Sequence, residues 1–499
     1  MMMAATFVEK FKGTDFALRY FYHNPVFIAL WAVTAICSLA YLFSVKTWKA
    51  PATMGIHIAL SLMLVGALVT HLTARTGVLH LRAGETVSSY EDDSGGTMDL
   101  PFDITLDEFA IEYYPGTHAP SDFRSEVRVD GEACTISMNN IAKISGYRLY
   151  QADYDEDLQG SILAVSHDPW GNGITYAGYL LLALCMIGFF FQKDTAFRRA
   201  LKRLSTALVL LAAFLLPGTA HAATPDGVSS VQQIYDSIAR PMVPFMVSLT
   251  LGICLFIFSC IMMTQEKKVP KGLQNACAVL AGVLLLYLTL VIALRWVVSG
   301  NGPFAGSYSV MMLTAWLSCV MMLALYRKFP LIQPLGFILA GFTMLIASRS
   351  NPTITNLMPV LNSPLLSIHV LSMMMSYTLF GLVALNGVMG LLVPEKISAT
   401  LKDVSTVILY PAVFLITFGT FIGAVWANIS WGNYWAWDPK ETWALVTLLV
   451  YSVALHGDSL KIISKPRNFH IYTILARLTV LITYFGVNLV LGGMHSYGG

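Results

Sequence analysis

The chain is 499 residues long, 56% hydrophobic and only 12% charged, with a formal net charge of +2. So much apolar surface cannot be hidden inside soluble domains, so the composition excludes a soluble enzyme and describes a polytopic membrane protein. No basic tract is present, which removes nucleic acid from the partner classes.

Residues 1–24 contain no span and no small-residue cleavage site of the kind that ends a signal peptide. Apolar runs at 25–45 and 53–73 are each about the 20 residues that cross a bilayer as a helix. From 74 to 171 the character changes. Most of the acidic residues lie here, with short alternating runs such as FDITLDEFAIEYY, SEVRVDG and SILAVSHD between Gly, Asp and Pro turns. This pattern predicts a water-exposed, β-rich domain.

A span at 173–191 is followed by the basic stretch QKDTAFRRALKRLS and a run at 206–220 ending in PGTAHAATPDG. The latter imitates a signal peptide, but its internal position favours a transmembrane helix. Eight further spans are expected at 243–263, 275–297, 309–326, 331–347, 366–392, 406–427, 443–457 and 471–493, giving about twelve helices in all. The expected fold is therefore a mainly α polytopic membrane protein with one extracytoplasmic β-rich domain. Its segments are 1–73 (N-terminal stretch and two helices), 74–171 (β domain), 172–242 (two helices and a linker) and 243–499 (eight helices).

The seven cysteines lie mostly in apolar runs, without CxxC or CxxCH spacing, so they read as small core residues and not as a thiol relay. Basic residues identify the cytoplasmic side. Lys46 and Lys49, Arg198 to Arg203, Lys267 to Lys271, Arg327 and Lys328, Lys396 and Lys402, and Lys461 to Arg467 fall on alternate loops. The β domain, both termini and the loop at 428–443 then lie outside.

That loop contains WGNYWAWDPKETW, Trp431–Trp443, with four of the chain's ten tryptophans. Interfacial aromatics usually serve as membrane anchors. Here Trp435, Trp437 and Trp443 alternate with Asp438, Lys440 and Glu441, a mixture that an anchoring belt does not need. Aromatic faces beside polar groups suit a flat, partly polar ligand that is held by stacking and reached from water.

The histidines sort by depth. His369 and His495 fall outside, level with the Trp loop and on either side of it in sequence. His57 lies about 6 Å above the inner end of its helix, and His456 about 20 Å along an inward-running helix starting at Trp443. That puts His57 and His456 at one depth near the cytoplasmic leaflet, and intramembrane ionisable residues are candidate functional groups. Two neutral imidazoles are a usual axial pair for heme iron. His71, His80, His118, His167, His221 and His470 read as interfacial or carbonyl-bonded, and His23 as a loop residue.

The Trp segment resembles the WWD signature, WGxYWxWDxKExW, of the CcsA half of system II cytochrome c synthases. The likeness extends to LNSPLLSIHVLSMMMSYTLFG and YFGVNLVLGGMHSY, which resemble the family's two external-heme segments, and to LVYSVALHGDSL. GIHIALSLMLVGALVTHL, PFDITLDEF, YYPGTHAPSDF and HDPWGNGITYAGY are similar to the ResB/CcsB half. Residues 5–192 and 243–499 thus follow the order of the fused CcsBA synthases. Two features depart from that pattern. Fused members have a longer connection between the halves than PGTAHAATPDGVSSVQQIYDSIARP, which implies a reduced apocytochrome-docking surface, and a further helix ahead of a sequence like ATFVEKFKGT.

The resemblance implies cytochrome c biogenesis in a bacterial cytoplasmic membrane, with the loop and β domain periplasmic. Heme b crosses the membrane and its vinyl groups are joined to the CxxCH thiols of apocytochrome c, a lyase-type activity supported by thiol-reducing partners. It implies His57 and His456 as axial ligands of a membrane heme and His369 and His495 as axial ligands of an external one. Trp431, Trp435, Trp437 and Trp443 would stack on or edge the porphyrin. Asp438 and Glu441 would fix the loop or meet the apocytochrome, and Lys440, Arg295, Arg349 and the deeper Arg477 are candidate propionate partners. Heme export or chaperoning without attachment is the alternative within heme chemistry. A solute transporter is the alternative outside it, and spans lacking Asp and Glu, apart from Glu441, argue against that class.

Overall fold

The structure, a computed structural model, describes residues 1–44, 47–203, 225–300, 302, 304, 306–354 and 356–492. The expected run at 206–220, His221 and His495 lie outside the described residues. Among those described, ten helices are long and apolar enough to cross a membrane. An eleventh, Pro439–Leu455, is 17 residues long and lies inside the same bundle. The protein is a multi-pass membrane protein with a β domain.

A short helix, α1 (Met2–Lys12), leads through a π-helical turn at Leu18–Tyr22 into α2 (Pro25–Ser44), and α3 (Pro51–Thr73) returns. Eight strands follow: β1 (Arg75–Arg82), β2 (Thr86–Asp92), β3 (Thr97–Tyr113), β4 (Pro120–Val129), β5 (Glu132–Ser137), β6 (Ala142–Ile144), β7 (Tyr147–Tyr154) and β8 (Gly160–His167). They form one antiparallel sheet in the order β5-β4-β3-β2-β1-β8-β7-β6. Alternation works as the sequence suggests. In β1, Leu79 and Leu81 face a core with Ile104, Leu106, Val127 and Leu163, while Val78, His80 and Arg82 face out. The sheet curls far enough for Ser125 of β4 to donate to Gln151 of β7 at 2.6 Å, buried.

α4 (Gly171–Phe191) packs along α3. A Cβ on Gly66 would lie 2.3 Å from Thr175 Oγ1, and one on Gly178 would lie 2.6 Å from Met63 Cγ. Small residues that let two backbones approach this closely are the usual basis of helix association in lipid, where burial of apolar surface gives no net drive. This pair fixes the wall that carries His57.

The C-terminal bundle comprises α5 (Met242–Thr264), α6 (Lys271–Ser299), α7 (Gly306–Leu325), α8 (Ile332–Arg349), α9 (Pro364–Leu392), α10 (Glu395–Trp431), α11 (Pro439–Leu455) and α12 (Pro466–Leu481). α12 runs on as a π-helix, Ile482–Leu491. The outer faces of α5 and α6 leave Ile253, Ile257, Val283 and Leu286 exposed, as lipid-facing helices do. The Arg203–Asp403 and Lys402–Asp458 pairs gather at one end of the bundle, and the β domain docks at the other.

Candidate functional site

A cavity of about 1280 Å³ lies between α2, α3, α4, α10 and α11. Its volume exceeds the roughly 300–1,000 Å³ typical of small-ligand pockets. His57 and His456 line one end, and Trp435 and Trp437 of the Trp loop also line it.

The two histidine rings stand with centres 6.3 Å apart and planes nearly perpendicular, at 83°. His57 Nδ1 pairs with the Thr53 carbonyl oxygen at 2.9 Å, and His456 Nδ1 pairs with that of Ser452, also at 2.9 Å. A carbonyl only accepts, so each Nδ1 carries the proton and each Nε2 keeps its lone pair for a metal. Metal–imidazole bonds of about 2.0 Å, extended by roughly 1 Å from nitrogen to ring centre on each side, set two rings about 6 Å apart across one metal. The spacing fits. In one respect the sequence expectation is corrected: α11 begins at Pro439 instead of Trp443 and ends at Leu455, so His456 caps it at the inner end.

The Trp loop is held from several sides. α10 ends at Gly432, in the left-handed region at φ 84°, and a Cβ there would come within 2.8 Å of the Tyr150 ring. Asn428 receives hydrogen bonds from Arg148 and, at 2.6 Å, from Tyr176, and its amide donates to Gly432 O. Ser430 donates to Asn139 at 2.7 Å, and Tyr434 donates to Thr70 at 2.9 Å. The β domain and α3 are therefore bonded directly to the loop.

Within the loop, Asp438 is 3% exposed and caps α11 by accepting from Lys440 N at 2.8 Å, with Pro439 in the first turn. Glu441 accepts from Ala436 N at 2.9 Å, and Lys440 Nζ donates to Asn488 at 3.0 Å. These carboxylates fasten the loop. Trp437 adopts φ 59°, unusual outside glycine, and is clamped between Tyr22, stacked at 4.7 Å, and the edge contact of Phe27. Trp443 is buried against Val446, Val487 and Leu491, its indole donating to Thr6 Oγ1 of α1 at 3.1 Å. Trp431 meets Trp426 edge-on at 4.8 Å. Trp435 Nε1 has no acceptor among the described residues, a buried donor left for a ligand.

His369 is not in this cavity. It faces α10 from the other side, with Nδ1 to Gly419 O at 2.7 Å, and a Cβ on Gly423 would reach within 2.5 Å of that nitrogen. Of the cations, Arg295 is engaged by Ser309, Tyr235 and the carbonyls of Pro352 and Thr353. Arg477 donates to Tyr377 O at 2.7 Å. Arg349 is exposed at the end of α8. None of the three lines the cavity. His470 is fully buried and pairs with Ser398 O, His80 pairs with Asp155, and His167 stacks on Tyr147, all structural partners.

Residues 242–495, just over half the chain, match the model of the cytochrome C assembly protein family. The chain belongs to that family. Residues 47–174 match the ResB-like family, so a ResB-like and a CcsA-like half are fused as in the system II synthases. Protein NrfI of Wolinella succinogenes is 35% identical over 44% of this chain and 26% of its own length. The cytochrome c biogenesis proteins CcsA of Chlamydomonas reinhardtii and Prochlorococcus marinus are 33% and 29% identical, over 44% and 50% of this chain and 67% and 93% of their own lengths. The match thus spans about a quarter of NrfI.

The residues that sequence reasoning missed are those outside the signature: Asn428, Arg148, Tyr150 and Asn139 at the domain contact, and Tyr22 against Trp437. A further omission is positional. His71 lies fourteen residues after His57, just under four helical turns, and so on the same face of α3.

Proposed function

We propose that this protein carries out cytochrome c biogenesis: heme b enters at His57 and His456, crosses the membrane, and is joined to an apocytochrome c beside the Trp loop. The observation that carries this reading is the single cavity that begins at two imidazoles with free Nε2 atoms and reaches Trp435 and Trp437. An apolar, elongated cavity with paired axial donors and an unpartnered indole N–H suits a flat metalloporphyrin. The family and the fused ResB-like half support it.

At the external site, the resemblance assigns the two axial positions to His369 and His495. Attachment adds each CxxCH thiol across a vinyl group: the sulfur–carbon bond forms at one vinyl carbon and the thiol hydrogen goes to the other, with no net redox change. Holding both reactants in one orientation makes the addition effectively intramolecular, so the protein's work is placement. Asp438 and Glu441, fastened to backbone amides, hold the loop in shape. In this reading the loop and β domain face the periplasm of a bacterial cytoplasmic membrane, and thiol reductants keep the CxxCH cysteines ready.

The test is the visible spectrum of the detergent-purified protein beside His57→Ala and His369→Ala, followed by co-expression with a CxxCH cytochrome. A reduced bis-histidine spectrum that weakens in each variant, with heme-stained cytochrome from the wild type, is expected. A colourless protein after expression with ample heme overturns the proposal.

A further inference from the structure

Two further histidines, His23 and His71, meet inside the same cavity. His23, which follows the π-helical turn Leu18–Tyr22, and His71, in the last turn of α3, have ring centres 5.4 Å apart with planes at 50°. Both line the cavity that contains His57 and His456. Among the described residues neither ring has a hydrogen-bond partner, whereas His80, His369, His456 and His470 all do. Both side chains are exposed, so their ring nitrogens stand open to an incoming ligand as they do to water. π-helical turns, which are costly, recur where a side chain must be aimed at a ligand, and one precedes His23 here.

We infer that His23 and His71 form a second coordination site for an iron porphyrin, at the Trp end of the cavity that begins at His57 and His456. The inference rests on the heme-handling reading above.

The nature of the ligand follows from the donor count. A bare transition-metal ion needs three or four protein ligands. Among the described residues no cluster of three or more His, Cys, Asp or Glu could hold one. The nearby carboxylates are already used: Asp168 accepts from Thr70 and Gly171 N, and Asp93 accepts from Thr76. An iron porphyrin brings four in-plane nitrogens and asks the protein for two axial ones, which this pair supplies. Tyr22, Phe27, Trp31 and Trp437 line the same cavity, where they pack on one another as an aromatic cluster that begins next to His23 in sequence.

Position gives the site its role. Fourteen residues of helix separate His57 from His71, about 21 Å along α3 and on one face. A porphyrin leaving the inner pair would give up both axial bonds, and a second pair further along the same wall restores them beside the Trp loop. The 5.4 Å spacing is shorter than the 6.3 Å of the inner pair, so the rings must part by about 1 Å around the iron, within the reach of side-chain torsions.

The experiment uses the full chain with hemin as the probe. In a His57→Ala/His369→Ala/His456→Ala/His495→Ala background, which removes the other proposed ligands, hemin is titrated and its spin state read by visible and electron paramagnetic resonance spectra. A low-spin, six-coordinate complex is expected. Adding His71→Gln should give a high-spin, five-coordinate complex bound at least tenfold more weakly, and His71→Gly should regain the low-spin form when imidazole is supplied. Such rescue would not follow from a merely structural role and shows that the variant is folded. Absence of a low-spin complex in the background variant, or an unchanged spectrum on adding His71→Gln, overturns the inference. So does zinc alone binding as tightly with the same loss in His71→Gln. The heme-handling reading is decided separately, by wild type against the single His57→Ala variant.

Discussion

Tyr22 lies flat on Trp437, ring centres 4.7 Å apart and planes within 10°, joining the N-terminal segment to the centre of the Trp loop. Stacked aromatic pairs contribute about 0.5–1.5 kcal/mol beyond the area they bury, comparable to the roughly 1–2 kcal/mol cost of a left-handed residue other than glycine. The stack therefore offsets much of the cost of holding Trp437 at its unusual φ. Tyr22→Phe keeps the ring and loses only a weak 3.4 Å contact with Thr442, so it should behave as wild type. Tyr22→Leu should release the loop, seen as faster proteolysis near Trp437 and stronger acrylamide quenching of tryptophan fluorescence. Equal protection in both variants would show that something else sets the loop.

Asp438 separates a structural role from a chemical one. Its carboxylate caps α11, and Asn caps almost as well, while Ala forfeits about 0.5–2 kcal/mol. Asp438→Asn should keep holocytochrome yield within severalfold of wild type, and Asp438→Ala should lower both yield and thermal midpoint. General acid–base catalysis is worth about 10²–10⁴-fold. A loss of that size in Asp438→Asn, measured on heme-stained gels of a co-expressed cytochrome, would make the carboxylate a reactant.

Glu9 of α1 supplies the pH dependence. Burial, with a smaller contribution from the Asp438 carboxylate, pushes its carboxyl above the ordinary 4.5, against the Thr14 hydroxyl that holds it down. The folded protein thus keeps this proton to higher pH than the unfolded chain. The stability it brings is complete below about pH 4.5 and is lost as pH rises through the raised value. Glu9→Gln should raise the thermal midpoint at pH 7 and flatten its slope between pH 4 and 7. An unchanged slope would place the titration elsewhere.

What was legible in the sequence is what apolar length and a dense motif encode. Spans of about 20 residues, the alternating strands of residues 74–171 and the shared depth of His57 and His456 all follow from helix and strand periodicity. Contacts between distant segments do not. Nothing in the local pattern says that Trp443 is roofed by Thr6, that Arg148 reaches Asn428, or that Arg295 is occupied by carbonyls near Pro352. The start of α11 is not legible because Trp443 reads as the first apolar residue, although the Asp438–Pro439 cap starts the helix one turn earlier. His71 could have been found by counting turns from His57. His23 could not, because a π-helical turn obeys no 3.6-residue rule.

The inner histidines take their orientation from the carbonyls of Thr53 and Ser452, each four residues back on the same helix. A main-chain oxygen does not titrate, and no side-chain replacement at those positions deletes it, so the ring orientation is immune to acid and to most mutation. A neutral acceptor also polarises imidazole less than a carboxylate would, so under the proposed function each Nε2 would hold iron with a softer grip. Permanent cofactors are commonly held by the stronger arrangement. If heme passes through as proposed, the weaker one suits a berth from which the passenger is meant to depart.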